Sequence, residues 1–444
     1  MKLMNAMFRL AIVAVVIASV SCLSNKETTW DWLRQEQDQY VETDRGYIDV
    51  YYASADRTPR WSSDGQTLVV NTGDRYDGDF AIYGVRLDGS ALWRIPAESR
   101  GVQLSPVISS DNRVAYRNYE WISRGFIAEM GSSAHHHHVV VSSLDGAHEE
   151  WRVKLPVDVH GVGPAWMPDN AHLAVALNNR RGDPLFGWVG PGGWDGPGYR
   201  IFAVDGTGEF SLLGGYGVRP DKGFEISPDG RHAAYQSRVP RPNSVERLSD
   251  RVVISGIGAG QTGKHVTNGS LRSLATGKSN TWWSLSRAAW SSDGQQLFFA
   301  MAKHIDATRP VQAAIMAMAP DGSLETVADV NPPSQIYTVQ PSPDGQRVLV
   351  TTRQGPGVGV VTLDGSRYRE MCCAGSTGRL WASWSPDGER IAVLDTGRHA
   401  QYVLRVFRTD GPGMKTLIRR NPDGTLAATP DTESTPSNPT STAR

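Results

Sequence analysis

Short apolar segments recur along the chain between clusters of Gly, Pro, Asp, Asn and Ser, and none of them has the length or the 3.6-residue period of a long helix. Segments such as Gln66 to Val70, Leu173 to Leu177, Gln296 to Ala300, Arg347 to Thr351 and Arg390 to Leu394 read as short strands. A second set comes after these and ends in an Asp-Gly turn: Ile82 to Gly89, Val139 to Gly146, Ile201 to Gly206, Ala314 to Gly322, Val358 to Gly365 and Val403 to Gly411. The pattern predicts an all-β chain.

The first set of strands is introduced by one motif that occurs seven times. It reads Trp61-Ser-Ser-Asp-Gly65, Ile108-Ser-Ser-Asp-Asn112, Trp166-Met-Pro-Asp-Asn170, Ile226-Ser-Pro-Asp-Gly230, Trp290-Ser-Ser-Asp-Gly294, Pro341-Ser-Pro-Asp-Gly345 and Trp384-Ser-Pro-Asp-Gly388, with the aspartates 43 to 64 residues apart. Each copy implies four strands: one entering the motif, one leaving it, one ending at the Asp-Gly turn and one leaving that turn. Four-stranded units repeated radially make a β-propeller, here of seven blades. Six or eight blades result if the second copy is not a true unit or if Tyr47 to Tyr52 belongs to another. That segment is expected on the outer edge of the last blade, helping to close the ring. Within the motif, Asp is expected to cap the turn, Gly or Asn to take the left-handed conformation, and Trp to pack between blades.

The repeated Trp-Ser-Pro-Asp-Gly with its later Leu-Asp-Gly turn resembles the TolB-like or WD40-like (PD40) propeller repeat family over about residues 58 to 418. The resemblance implies a rigid ring carrying loops at its two ends.

Composition adds exclusions. The 444 residues include 46 Gly and 26 Pro, which the turns absorb, and 45 basic against 46 acidic residues, a net charge of -1. Such a balance gives no pull toward nucleic acid or an anionic membrane surface. There is no Gly-x-Ser-x-Gly nucleophile elbow and no P-loop. No catalytic residue and no cofactor is therefore assigned.

The first 22 residues have Lys2 and Arg9, then an apolar run from Leu10 to Val20, then Ser21 and Cys22. Eleven apolar residues fall short of the roughly 20 that span a bilayer, so export is expected, with residues 1–21 as a signal peptide. The small residues before Cys22 resemble a bacterial lipoprotein signal, which implies lipidation of Cys22. The other thiols, Cys372 and Cys373, are adjacent and can close no loop. They form either a vicinal disulfide or two small residues in a turn.

With strands lettered A to D from the axis outward, A-B and C-D turns lie on one face, B-C loops and D-A crossings on the other. Nearly all added length falls on the second face: Asn118 to His137, Asn178 to Tyr199, Arg238 to Asp250, His265 to Arg287 and Lys303 to Val311. Long loops on a rigid scaffold are the usual place for binding residues. Trp121, Trp188, Trp194, Trp282 and Trp283 lie there and are the candidate ligand-binding residues, because aromatic side chains anchor protein interfaces and stack on sugar rings. His160, His304 and His399 fall on the same face and are the candidate metal ligands. Four consecutive histidines, His135 to His138, also lie there, but on a strand they alternate sides, so at most two of them can share a site.

The expected organisation is a signal peptide (1–21), an N-terminal tether with a possible closing strand (22–57), the propeller (58–420) and a disordered Thr, Pro and Ser-rich tail (421–444). The expected function is a non-catalytic binding scaffold of the cell envelope, periplasmic or on the outer surface. It would be held to the membrane by its lipid alone and would bind a protein or envelope glycan through the long-loop face. The alternative is a metal-assisted carbohydrate lyase, since oligogalacturonate lyases are similar in being propellers with related repeats.

Overall fold

The computed structural model describes residues 40–43 and 46–49 and, from 56 to 429, all but 73–79, 97–100, 123–133, 156–162, 180–197, 215–219, 240–248, 258–263, 266–281, 305–309, 331–335, 353–356, 365–367, 374–378, 397–401, 412 and 422–424. The signal-like segment, Cys22 and residues 430–444 lie outside these.

The chain makes seven antiparallel blades in a propeller, each from one continuous stretch of sequence. The innermost strands are Arg60–Trp61, Gly101–Ile108, Ala165–Trp166, Pro220–Ile226, Trp282–Leu285 with Ala289–Trp290, Ile336–Pro341 and Arg379–Trp384. Every blade then runs outward in sequence order, so A-B and C-D turns share one face, as the repeat implies. All seven motifs form A-B turns with Gly or Asn left-handed, at φ between 54° (Asn170) and 72° (Gly230). An Ala at such a position strains the backbone. At Gly230 its Cβ would also stand 3.2 Å from the Pro168 ring of the preceding blade.

The serine after the motif's first residue donates to the motif Asp in six blades, for example Ser62 to Asp64 at 2.5 Å and Ser291 to Asp293 at 2.6 Å. The same carboxylates accept a backbone N-H from two residues on, at 2.9 Å from Gln66 and 3.0 Å from Gln295. Those serine hydroxyls, with the N-H groups, hold Asp64, Asp229 and Asp293 below the usual carboxylate range. The aspartates are turn caps, as their sequence context predicts.

The buried apolar residues form one cluster at each of the seven seams. Period-2 alternation explains the division. On the second strand of blade 1, Thr67–Thr72, Leu68 and Val70 pack toward blade 7 while Val69 packs toward blade 2. On that of blade 7, Arg390–Thr396, Ile391 and Val393 pack toward blade 6 while Ala392 and Leu394 pack toward blade 1. A strand buried on both faces needs a continuous apolar run, and the motifs lead directly into such runs.

Side-chain contacts join blades 7 and 1. Ser383 donates to the Pro59 carbonyl at 2.7 Å, and the Trp61 indole donates back to the Ser383 carbonyl at 3.4 Å. Arg57, buried in the same seam, donates to the Tyr402 hydroxyl at 3.2 Å and lies over the Phe80 and Tyr402 rings. Of the Tyr47 to Tyr52 segment expected to help close the ring, Tyr47 to Asp49 belong to strand Gly46–Asp49, which pairs with Tyr40–Thr43, and 50–52 lie outside the described residues. The outer edge of blade 7 is Leu426–Ala428, a fifth strand paired with Met414–Arg420. Within the expected tail, Leu426-Ala427-Ala428 form this strand, being apolar enough to cover a sheet edge. Cys372 and Cys373 are joined in a disulfide at the end of Tyr368–Cys372, with Cys373 left-handed at φ 74°. Of the two readings open in the sequence, the disulfide is the one found.

Candidate functional site: the axial cavity

The innermost strands surround a cavity of about 630 Å³ on the propeller axis, to which all seven blades contribute. It reaches the A-B turns, where Ser292, Pro343 and Pro386 line it. The volume lies in the usual range of small-molecule sites.

Its lining is ordered by the repeat. The residue just before the motif is Arg60, Val107, Ala165, Glu225, Ala289, Gln340 and Ser383 in blades 1 to 7, and all seven line the cavity. The main chain at this position holds neighbouring blades together. The indoles of Trp61, Trp166 and Trp384 donate to the carbonyls of Ser383, Val107 and Gln340 of the preceding blade, at 3.4, 3.3 and 3.1 Å. Two of the clasps are backed by a cation, Arg113 over Trp166 and Arg347 over Trp384, each at 5.0 Å. The side chains are then free to differ, and two of the seven are charged.

Arg60 pairs with Asp56, from the segment entering blade 1, at 2.6 Å. Arg287 approaches the other Asp56 oxygen at 3.6 Å. Burial opposes the charge on Asp56, but Arg60, Arg287 and the Thr58 N-H outweigh it and hold the carboxyl below its ordinary range.

Arg287 reaches the axis because the inner strand of blade 5 is interrupted. Ser286 and Ala300 still pair, reinforced by a 2.7 Å bond from the Ala300 N-H to the Ser286 hydroxyl. Arg287 leaves the sheet and donates its N-H to the Tyr337 carbonyl of blade 6 at 3.0 Å. Its guanidinium lies over the Tyr337 and Trp381 rings, 5.7 and 5.3 Å from their centroids. Those rings meet edge to face at 5.5 Å. Blades 5, 6 and 7 together fix this one cation.

Glu225 faces the cavity from blade 4. Its side chain is exposed to the cavity, and desolvation within the ring pushes its carboxyl up, against the pull of Arg60 and Arg287. Among the described residues it accepts one hydrogen bond, from the Trp290 N-H at 3.4 Å. Beside it, burial pushes the Tyr235 phenol up to about 12, so it stays protonated.

The sequence-predicted candidates fall elsewhere. Trp121 stands opposite His135 on the hairpin of blade 2, whose strands Arg113–Ile122 and Ala134–Ser143 pair over ten residues. Trp282 stands opposite His304, and Trp283 opposite Lys303, in blade 5. Trp188, Trp194, His160 and His399 lie outside the described residues, which contain no group of three or more His, Cys, Asp or Glu placed to hold a metal ion. The long-loop face therefore shows two aromatic-histidine cross-strand pairs on separate blades. Asp56, Arg60, Glu225 and Arg287 were missed, although aligning the seven copies makes Arg60 and Glu225 stand out at the position before the motif.

No family model and no curated protein matches the sequence. In three dimensions the chain is similar to an oligogalacturonate lyase in complex with manganese, at 14% identity over 79% of this chain and 88% of that one, with a TM-score of 0.54. It is similar also to the oligogalacturonate lyase of Vibrio parahaemolyticus, at 13% identity over 76% and 85%, with a TM-score of 0.51. TolB of Acinetobacter baumannii matches at 14% identity over 82% of each chain, with a TM-score of 0.40. At these identities the shared property is the β-propeller fold.

Proposed function

We propose that the chain is an exported, lipid-anchored binding scaffold of the cell envelope, holding a protein or glycan partner through its long-loop face without catalysing a reaction. One observation carries this reading. A ring whose blades are clasped by side chains bears long B-C hairpins on one face, of which blade 2 extends both strands to ten residues. The opposite face is built of tight capped turns. A rigid ring with lengthened hairpins on one side presents side chains at little entropic cost, which suits binding. The aromatic-histidine pairs of blades 2 and 5 give the face anchoring residues.

Cell fractionation tests the anchor: the full chain should sediment with membranes and Cys22→Ala should be released. Cross-linking to isolated envelopes, with and without prior glycan digestion, tests the face. Deleting residues 185–195 should reduce capture while the unfolding midpoint stays unchanged. Equal capture by the deletion variant removes the basis for choosing this face.

A further inference from the structure

The axial cavity holds a cation whose hydrogen-bonding capacity is largely unspent. Arg60 is matched by Asp56 at 2.6 Å. The Arg287 guanidinium has, among the described residues, two aromatic rings on one side and Asp56 at 3.6 Å, beyond hydrogen-bond reach, and its Nε has no partner. With Asp56 offsetting one arginine, the cavity keeps one positive charge and one further carboxyl, Glu225.

We propose that the axial cavity is a binding site for a carboxylate, which takes the guanidinium of Arg287 on the cavity wall that Glu225 shares. The planar guanidinium forks onto the two oxygens of a carboxylate, and Arg287 lines the cavity. A monoanion offsets the charge of Arg287, and 630 Å³ admits a small molecule or the terminal residues of a peptide. Trp61, Trp166, Trp290 and Trp384 are among the residues lining the same space, with Pro59, Pro343 and Pro386. The charged and titratable groups facing Glu225 are Arg60, Asp56 and Arg287 across the cavity and Tyr235 on the adjoining strand. The site lies on the axis and opens among the A-B turns, so it is independent of the long-loop reading.

The test is titration of the full chain with acetate, lactate and benzoate, and with Gly-Gly-Gly carrying a free or an amidated C-terminus, read by tryptophan fluorescence and calorimetry. Saturable binding of a free carboxylate identifies a small-molecule site. Binding of the free-ended peptide alone identifies a chain terminus as the source. Arg287→Gln should weaken binding by about tenfold or more, the loss expected for a charge-assisted pair. Should Arg287→Gln not fold, Glu225→Gln serves as the second variant: parent affinity should fall as pH rises and Glu225 ionises, and the variant should hold its affinity. Absence of saturable binding by the four probes that carry a carboxylate overturns the proposal, as does unchanged affinity in Arg287→Gln or an identical pH dependence in Glu225→Gln. Deletion of residues 185–195 should leave carboxylate binding intact.

Discussion

Blades 4 and 6 present the same backbone to the axis with different chemistry. Glu225 and Gln340 occupy one repeat position, and each accepts the N-H of the next blade's tryptophan at 3.4 Å. In blade 6 the match is complete: Trp384 also donates its indole N-H to the Gln340 carbonyl at 3.1 Å, and Arg347 covers the ring. In blade 4 it is not: among the described residues the buried Trp290 Nε1 has no partner, and Glu225 brings a carboxyl to the cavity. Where every polar group is satisfied, the position serves the ring. In blade 4 the position instead puts a carboxyl into the cavity beside Arg287.

The largest effect separating the two is expected at the tryptophans. Trp384→Ala removes a buried indole from the seam of blades 6 and 7 and should cost about 3–5 kcal/mol, measured by urea unfolding. The sharper contrast is with phenylalanine. Trp384→Phe strands the Gln340 carbonyl and should cost about 1 kcal/mol more than Trp290→Phe, which deletes a donor that has no acceptor. Equal losses would mean that the clasp of blade 4 forms in solution and that the two blades do not differ as described.

Next in size is the turn. Gly230→Ala places a Cβ on a left-handed residue and 3.2 Å from the Pro168 ring, so it should lower stability by about 1–2 kcal/mol. Gly345→Ala in blade 6 meets the same backbone strain but no neighbouring atom within 4 Å, and should cost less. The difference between the two substitutions, read as a shift in unfolding midpoint, isolates the contribution of the interblade proline.

Most of this ring was legible in the sequence, because its turn needs residues that are rare in combination. Ser and Asp satisfy the turn's N-H groups, Gly or Asn tolerates its left-handed residue, and the apolar run behind it fills two seams at once. Leu426–Ala428 was also readable, as an apolar run after one more Pro-Asp-Gly, but the Thr and Pro around it suggested a tail. The site was harder. Arg60 and Glu225 emerge only when the copies are stacked and compared at the position before the motif. Arg287 could not be found that way. Its place on the axis comes from a break in the inner strand of blade 5 and from rings of blades 6 and 7, and no local pattern at Ser286-Arg287-Ala288 announces such a contact. The loop tryptophans drew attention because exposed-looking aromatics are conspicuous in sequence, whereas a charged residue beside a turn motif looks like ordinary surface.

The smallest expected effect bears most directly on the contrast between blades 4 and 6. Desolvation raises the Glu225 carboxyl above its unfolded value, so the folded state binds the proton more tightly than the unfolded chain does. The stability this confers is fully present below the unfolded value and is lost as pH rises through the folded one. Asp56 runs the other way: its lowered carboxyl confers stability above the unfolded value that is lost as pH falls through the folded one. Glu225→Gln should therefore leave the unfolding midpoint nearly unchanged at pH 4 and raise it at pH 8, where the parent carries a desolvated carboxylate. Gln340→Glu should do the reverse at pH 8, because blade 6 has no arginine at the interrupted position to offset the new charge. If Glu225→Gln lowers the midpoint at pH 8, the attraction of Arg60 and Arg287 outweighs desolvation. Blade 4 would then be held together by its charge, and the carboxyl would be a structural counter-ion with nothing to offer a ligand.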